Sequence, residues 1–530
     1  MVKYLDNNGS GFAAWNAAQS QGTKKTRSKF STFVWWFVIF LATWWLLGKW
    51  MEPKQTPVIS DTDVAIISND TTNVPEQTIS SDKLVAKVRG IRISNVELSD
   101  FQNSVQSDDM TRVSLLGNTN DFAEVGFIAT GTTAPDAKTV WQKSNGKTTW
   151  RNSDGIIFSR DINVDGYLVT ITDTIENKTK QSVSFAPYVR MVRSGLKSDS
   201  AAVSTGAIAR VNSKIQYVDW HKMDKKSYAY STTNGFIGFA DQYWETVANV
   251  KSADQTMQIK SVGKKYVAAT TAAPVAIAPA DRAVFTTTLF MGPRDQAILD
   301  SAATTISGID DTIDYGWFWF FARPILWLLN TLNALVMNYG IAIILMTLLL
   351  RLLMWPLTRK SYVSTLAMQR MQPELQRIQK LYANDKMRLQ MEMMNLYKTH
   401  KTSPMSGCLP MLLQIPIFFA LYKALLVSVQ MRNAEFLWIR DLAAMDPYFI
   451  LPILMGATMW LQQYLQTAKV KKDNNSDNPI AQTQKFMKWM PVLFTIMFAW
   501  MPAGLVLYWT VSNIFGIVQM FIIKKRLEKK

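Results

Sequence analysis

Six stretches of this chain are apolar and close to membrane-spanning length, and five of them fall in the last 200 residues. They lie at about 30–50, 335–357, 409–427, 447–465, 489–501 and 503–523. Roughly 20 apolar residues are needed to cross a hydrocarbon core of about 30 Å. The fifth stretch is short by that measure. Only Met501-Pro502-Ala503-Gly504 joins it to the sixth, so the two must form a tight helical hairpin. Residues 51–316 contain no such stretch and read as a water-soluble insert. The pattern constrains the fold to a polytopic α-helical membrane protein carrying one large soluble domain.

Charge sets the expected orientation. Residues 51–316 hold 27 Lys and Arg against 30 Asp and Glu, while the rest of the chain holds 30 against 10. The basic excess sits at Lys24–Lys29, Arg359–Lys401, Lys469–Lys488 and Lys524–Lys530. Basic loops stay on the cytoplasmic side. Six spans satisfy this with both termini inside and residues 51–316 outside. The sequence pI of about 9.6 follows from that arrangement before nucleic-acid binding is invoked, apart from contact with ribosomal RNA. Lys24, Lys25, Arg27 and Lys29 precede the first span, and Gly48-Lys49-Trp50-Met51-Glu52-Pro53 after it lacks a small-x-small cleavage site. The first span therefore reads as a retained signal-anchor rather than a cleaved signal peptide.

Residues 1–29 are a polar tail, and 51–83, with Pro53, Pro57 and Pro75, read as an extended linker. From 84 to 300 short strand patterns recur between turn signals. Asn145-Gly146, Asp154-Gly155 and Asp165-Gly166 are hairpin dipeptides, and Tyr167–Asp173 and Val183–Val189 alternate with the strand period. One large β-sandwich is expected. Residues 301–334 include the aromatic-rich run Tyr315–Leu329, interrupted by Arg323-Pro324, and read as an amphipathic helix region lying on the outer interface. A full span there would invert every downstream loop.

Residues 358–407 carry helical periodicity on both sides of Asn384-Asp385. Leu375, Ile378 and Tyr382 make one stripe; Met387, Met391 and Met394 make the other. With Pro373 suited to a first helical turn, an antiparallel helical hairpin is expected, its narrow stripes packing on each other. The clustered methionines, Met371 among them, equally suit a surface that accepts varied apolar partners.

Arg351 lies inside the run Ile341–Leu357. A cation in hydrocarbon costs roughly 2.5–3.5 kcal/mol on insertion scales, so its guanidinium must face water, an anion or protein. Thr347 is one turn before it on the same face. Gln414 lies between Pro410 and Pro416 in the next span, and Tyr508, Trp509, Ser512 and Asn513 add polar groups to the last. If these spans surround one space, it is a polar cavity around a buried cation; otherwise Arg351 snorkels while Gln414 and Asn513 bridge helices. Paired carboxylates, a Ser/His arrangement and a Walker A sequence are missing, so no enzymatic activity and no nucleotide hydrolysis are expected. His221 and His400 lie far apart, and the single cysteine, Cys408, implies no disulfide; neither a metal nor another cofactor is expected.

Leu289–Arg294, Ile313–Trp319, Asn338-Tyr339-Gly340 through Arg351 to Thr358, Gly407–Pro416, Trp438–Leu442, Asp446–Pro452 and Pro502–Trp509 occur in an order that resembles the YidC-type membrane protein insertases of bacteria. Gly235–Tyr243 adds a weaker match in the soluble domain. The loop Thr402–Ser406 departs from the family pattern, which has Asn before the proline and Gly-Gly after it. The resemblance implies a core of five transmembrane helices over 335–523, a cytoplasmic hairpin over 358–407, a periplasmic β-sandwich and a basic cytoplasmic tail over 524–530. It further implies a hydrophilic groove open to the cytoplasm, with Arg351 as its charge and Thr347, Gln414, Tyr508 and Trp509 beside it. Expected partners are nascent membrane proteins, the Sec translocon (SecYEG with SecDF), the ribosome and membrane lipids, with no small-molecule substrate. The expected location is the bacterial inner membrane. A small-anion transporter using Arg351 as its site and a non-translocating assembly scaffold are the competing readings.

Overall fold

The computed structural model describes residues 74–528 apart from 104–110, 118–119, 145–146, 195–203, 253, 264, 383–384, 401–408 and 468–478. The tail, the first span and most of the linker lie outside the described residues.

Two antiparallel sheets pack face to face between Glu76 and Pro293. Among the described residues the first sheet has ten strands. Its main path runs Glu76–Ser80, Leu84–Arg89, Arg92–Gln102, Phe122–Thr130, Val183–Ser194, Lys265–Ala272, Gln255–Val262 and Tyr228–Thr232. The second has nine, ordered Lys214–Val218, Gly206–Val211, Ile237–Ala240, Trp244–Val250, Arg282–Pro293, Leu168–Asn177, Ile156–Asp165, Lys147–Arg151 and Gln142–Ser144. The sandwich therefore begins at Glu76, inside the segment expected to be linker. The first strand is an edge strand of five residues that buries only Ile79, too little apolar pattern to stand out in sequence.

Turn chemistry fixes the register. Asp165 pairs with Leu168 around Gly166, whose φ of 55° suits a residue without Cβ. Asn152 accepts from the backbone N–H groups of Asp154, Gly155 and Ile156 and shapes the next turn. Ser144 pairs with Lys147 across the Asn145-Gly146 position. Along Leu168–Asn177 alternate residues are buried, as their period demands. Between the sheets Arg160 makes a two-pronged pair with Asp173 at 2.8 and 2.9 Å and donates to the Val125 carbonyl of the opposite sheet at 3.0 Å. Truncating one member of such a buried pair typically costs about 3–5 kcal/mol.

Ten α-helices are described: α1 (Trp220–Lys225), α2 (Gln296–Ala302), α3 (Trp319–Val336), α4 (Tyr339–Leu353), α5 (Trp355–Leu381), α6 (Lys386–Thr399), α7 (Leu409–Val427), α8 (Ile450–Thr467), α9 (Pro479–Phe498) and α10 (Ala503–Glu528). Pro324 lies inside α3, so Arg323-Pro324 does not interrupt that helix. Trp319, Phe320, Phe321 and Trp327 are exposed along it. Pro373 likewise sits inside α5 rather than at a helix start.

Among the described residues one helix is long and apolar enough to cross a membrane, at Ala503–Arg526. A second qualifies if α4 and the start of α5 count as one span bent by 63°. Gln414–Val427 and Trp489–Phe498 are apolar but shorter. This is fewer than the six spans expected. The bend divides one apolar stretch, and Gln462, Gln463 and Gln466 lower the hydropathy of α8.

The hairpin is present as α5 and α6, but its expected packing is not. Met371 and Leu375 of α5 are buried and Ile378 is half-buried. Met387, Met391 and Met394 face outward, 75%, 57% and 53% exposed. Leu389, Met393 and Leu396 are the half-buried stripe of α6 instead. That helix carries two apolar rows, and sequence periodicity selected the outer one.

Candidate functional site

α4 begins at Asn338, whose side chain accepts from the Ile341 N–H and caps the helix. Fifteen residues later α4 stops at the bend, and Arg351 lies in its last turn. A cation there is favoured by the negative end of the helix dipole. The run Ile341–Leu357 is thus not one straight helix: it bends at Met354, three residues after Arg351. The guanidinium reaches α10, where its Nε donates to Ser512 Oγ at 2.7 Å.

One turn earlier on α10, the Tyr508 hydroxyl accepts from the Gln414 amide of α7. Ser512 lies one turn on from Tyr508, on the same face of α10. Four expected site residues, Arg351, Gln414, Tyr508 and Ser512, thus form one polar group where α4, α7 and α10 meet. Tyr508 and Ser512 are buried, and Arg351 and Gln414 are half-buried. Among the described residues Arg351 has no carboxylate partner.

The other three expected residues do not join this group. The Thr347 hydroxyl donates to the Ile343 carbonyl of its own helix at 2.6 Å. Trp509 packs among Phe418, Phe494 and Phe498, with ring centroids 5.4, 6.2 and 5.2 Å away. Asn513 donates to the Met455 carbonyl and Thr458 hydroxyl of α8 at 3.4 and 3.3 Å. Thr347 lies on the Arg351 face but its hydroxyl is taken by its own helix; for Trp509 and Asn513 the reason is angular. Neighbours on a helix point about 100° apart, so Tyr508 and Trp509 cannot both face one space.

A second polar group continues along α10. The Gln462 amide donates to the Tyr362 hydroxyl at 3.2 Å, and that hydroxyl donates to the Gly516 carbonyl at 3.4 Å. Beyond it, Gln519 donates to Thr358 Oγ1 at 2.6 Å, with both side chains buried. Sequence reasoning missed these residues, though the signal was present: Tyr508, Ser512, Gly516 and Gln519 recur at steps of four, four and three on one helical face. No group of His, Cys, Asp and Glu suited to a metal ion occurs among the described residues.

The soluble and helical regions match separate family models. Residues 76–328 match the YidC periplasmic domain, and residues 331–530 match the 60Kd inner membrane protein family. The membrane protein insertase YidC of Aeromonas hydrophila subsp. hydrophila is 37% identical over 415 residues, covering 74% of each chain. That of Pseudomonas fluorescens is 31% identical over 512 residues, covering 91% of this chain and 87% of its own. Among solved structures, an active YidC insertase with its first transmembrane domain resolved aligns over 85% of this chain and 95% of its own, at 18% identity and a TM-score of 0.37. The identity and coverage of the sequence relatives establish that this chain belongs to the YidC family of membrane protein insertases.

Proposed function

We propose that this chain moves short hydrophilic ends of nascent inner-membrane proteins partway across the bilayer through a groove floored by Arg351, without hydrolysing a nucleotide. A polar segment entering hydrocarbon leaves backbone groups unsatisfied, at several kcal/mol each. A polar, hydrated path reaching into the membrane shortens that passage. The substrate's own apolar helix then moves sideways into lipid and supplies the driving force. The reading assigns six spans, both termini to the cytoplasm and the sandwich to the periplasm. The ribosome and the Sec translocon are the partners that would deliver such substrates.

One observation carries the proposal. Arg351 is held by a neutral hydroxyl, and among the described residues it lacks a counter-charge. The missing anion would arrive with the substrate. Arg351→Ala and Arg351→Lys test this in insertion assays of a small membrane protein with an acidic translocated tail. We expect the alanine variant to slow insertion roughly tenfold or more, since hydrogen bonds to charged groups contribute about 1.5–3 kcal/mol. Lysine should retain part of the rate, keeping charge without the planar fork. Full insertion by both variants across such substrates would remove the charge from the mechanism.

A further inference from the structure

We infer that Ser512 is a positioning residue, setting Arg351 so that the two terminal nitrogens of its guanidinium face the groove as a fork for a carboxylate. The inference rests on the groove reading above and adds what orients its charge. Arg351 has five N–H donors in one plane. Its Nε, on the side of that plane, is committed to Ser512 Oγ at 2.7 Å. Among the described residues no hydrogen bond or ion pair engages the other two nitrogens. A side-on anchor of this kind fixes the plane and leaves the end-on edge open. That edge matches the two oxygens of a carboxylate in parallel.

Ser512 is itself held. It is buried, on the same face of α10 as Tyr508 and one turn away. Gln414 donates to the Tyr508 hydroxyl from α7. The serine presents a lone pair to Arg351 Nε from a face of α10 that the Gln414–Tyr508 bond ties to α7, so three helices bear on the orientation of one guanidinium. Without the serine hydroxyl the charge remains but the side chain recovers its rotamers. The ligand class follows: aspartate or glutamate side chains in the segment being translocated, engaged by both oxygens.

The test uses the full chain in proteoliposomes and two matched substrates, one with Asp and Glu in its translocated tail and one with Asn and Gln at the same positions. The readout is the ratio of their insertion rates. Ser512→Ala should lower the acid-over-amide ratio about three- to tenfold, as expected for one hydrogen bond's worth of orientation. Ser512→Thr, which keeps a hydroxyl, should restore it. In an Arg351→Ala background Ser512→Ala should leave the ratio where Arg351→Ala put it. Equal loss on both substrates in Ser512→Ala would make the serine merely structural and overturn the inference. So would a further change of ratio without Arg351. If Arg351→Ala moves the ratio and Ser512→Ala does not, the positioning role fails while the groove charge stands. If neither variant moves it, both fail.

Discussion

Glu245 is buried in the strand Trp244–Val250, and neither of its carboxylate oxygens accepts a hydrogen bond of normal geometry among the described residues. The Arg294 Nε lies 3.5 Å from it, but the other nitrogens of Arg294 donate to the Asp241 carbonyl, the Tyr217 hydroxyl and the Thr312 carbonyl. The Thr312 hydroxyl is turned to Ile309. Burial therefore outweighs the nearby cation and pushes the Glu245 carboxyl up to about 7. A raised acid binds its proton more tightly folded than unfolded. Its contribution to stability is full below the unfolded value near 4.5, falls as pH rises toward 7, and is then lost. Glu245→Gln should flatten this part of the pH profile and melt higher than the parent at pH 8, followed in the detergent-solubilised chain. Parallel profiles for the two proteins would refute it. Nothing in the sequence marks Glu245. Alternation in a strand places every second residue outside, but this strand is buried on both faces, so a polar residue at an outward position is still enclosed.

The helices were legible where hydrophobic length and capping agree, and α7 has the bounds its apolar run suggests. The break between α4 and α5 falls inside an unbroken apolar run, and its one sequence signal is Pro356: proline cannot donate back to Leu352, and the chain turns there. Just past the bend one hydroxyl ties the start of α5 to α10. Thr358 Oγ1 lies 3.0 Å from the Met354 carbonyl and 3.1 Å from that of Trp355, while accepting from Gln519. The Gln519 Oε1 already has no partner among the described residues. Thr358→Val keeps the shape, removes the hydroxyl and leaves both ends of a buried amide unsatisfied. A loss of about 1–3 kcal/mol is expected, whereas Thr358→Ser should stay close to the parent. Thermal unfolding of both variants in detergent decides it; a valine variant as stable as the serine variant would show that the hydroxyl does not hold the bend. Of the candidate site, the polar residues themselves are legible in the sequence, and helix phase divides them between faces. The four-residue steps from Tyr508 to Gly516 and from Trp509 to Asn513 define two faces, and only the first meets Arg351.

At the scale of the molecule, the segment after α7 joins the sandwich to the helices, through contacts that a single sequence cannot disclose. The Gln242 amide of the sandwich donates to the Leu426 carbonyl, one of those left unpaired at the end of α7. Gln430 donates to Asp295, the cap of α2, and accepts from the Tyr339 hydroxyl at the start of α4. Arg432 donates to the Gln102 and Asn103 carbonyls and lies over the Trp244 ring. Further along, Leu442 and Ala444 accept from the first N–H groups of α10. Gly340 completes the closure: a Cβ there would come within 2.1 Å of Phe436. These partners are from 59 to 330 positions apart in the chain, so no local pattern records them. If Arg432 is the main tie, Arg432→Ala should leave the sandwich interior intact and loosen only the joint. Amide hydrogen exchange should then rise in residues 428–442 and at the strand end near Gln102, where the opening free energy is now local. Exchange along Ile156–Asp165 and Leu168–Asn177, strands remote from the joint, should not change. Unchanged exchange at the joint would show that Gln242 and Gln430 hold it without Arg432. Faster exchange throughout would instead make Arg432 part of what stabilises the sandwich as a whole.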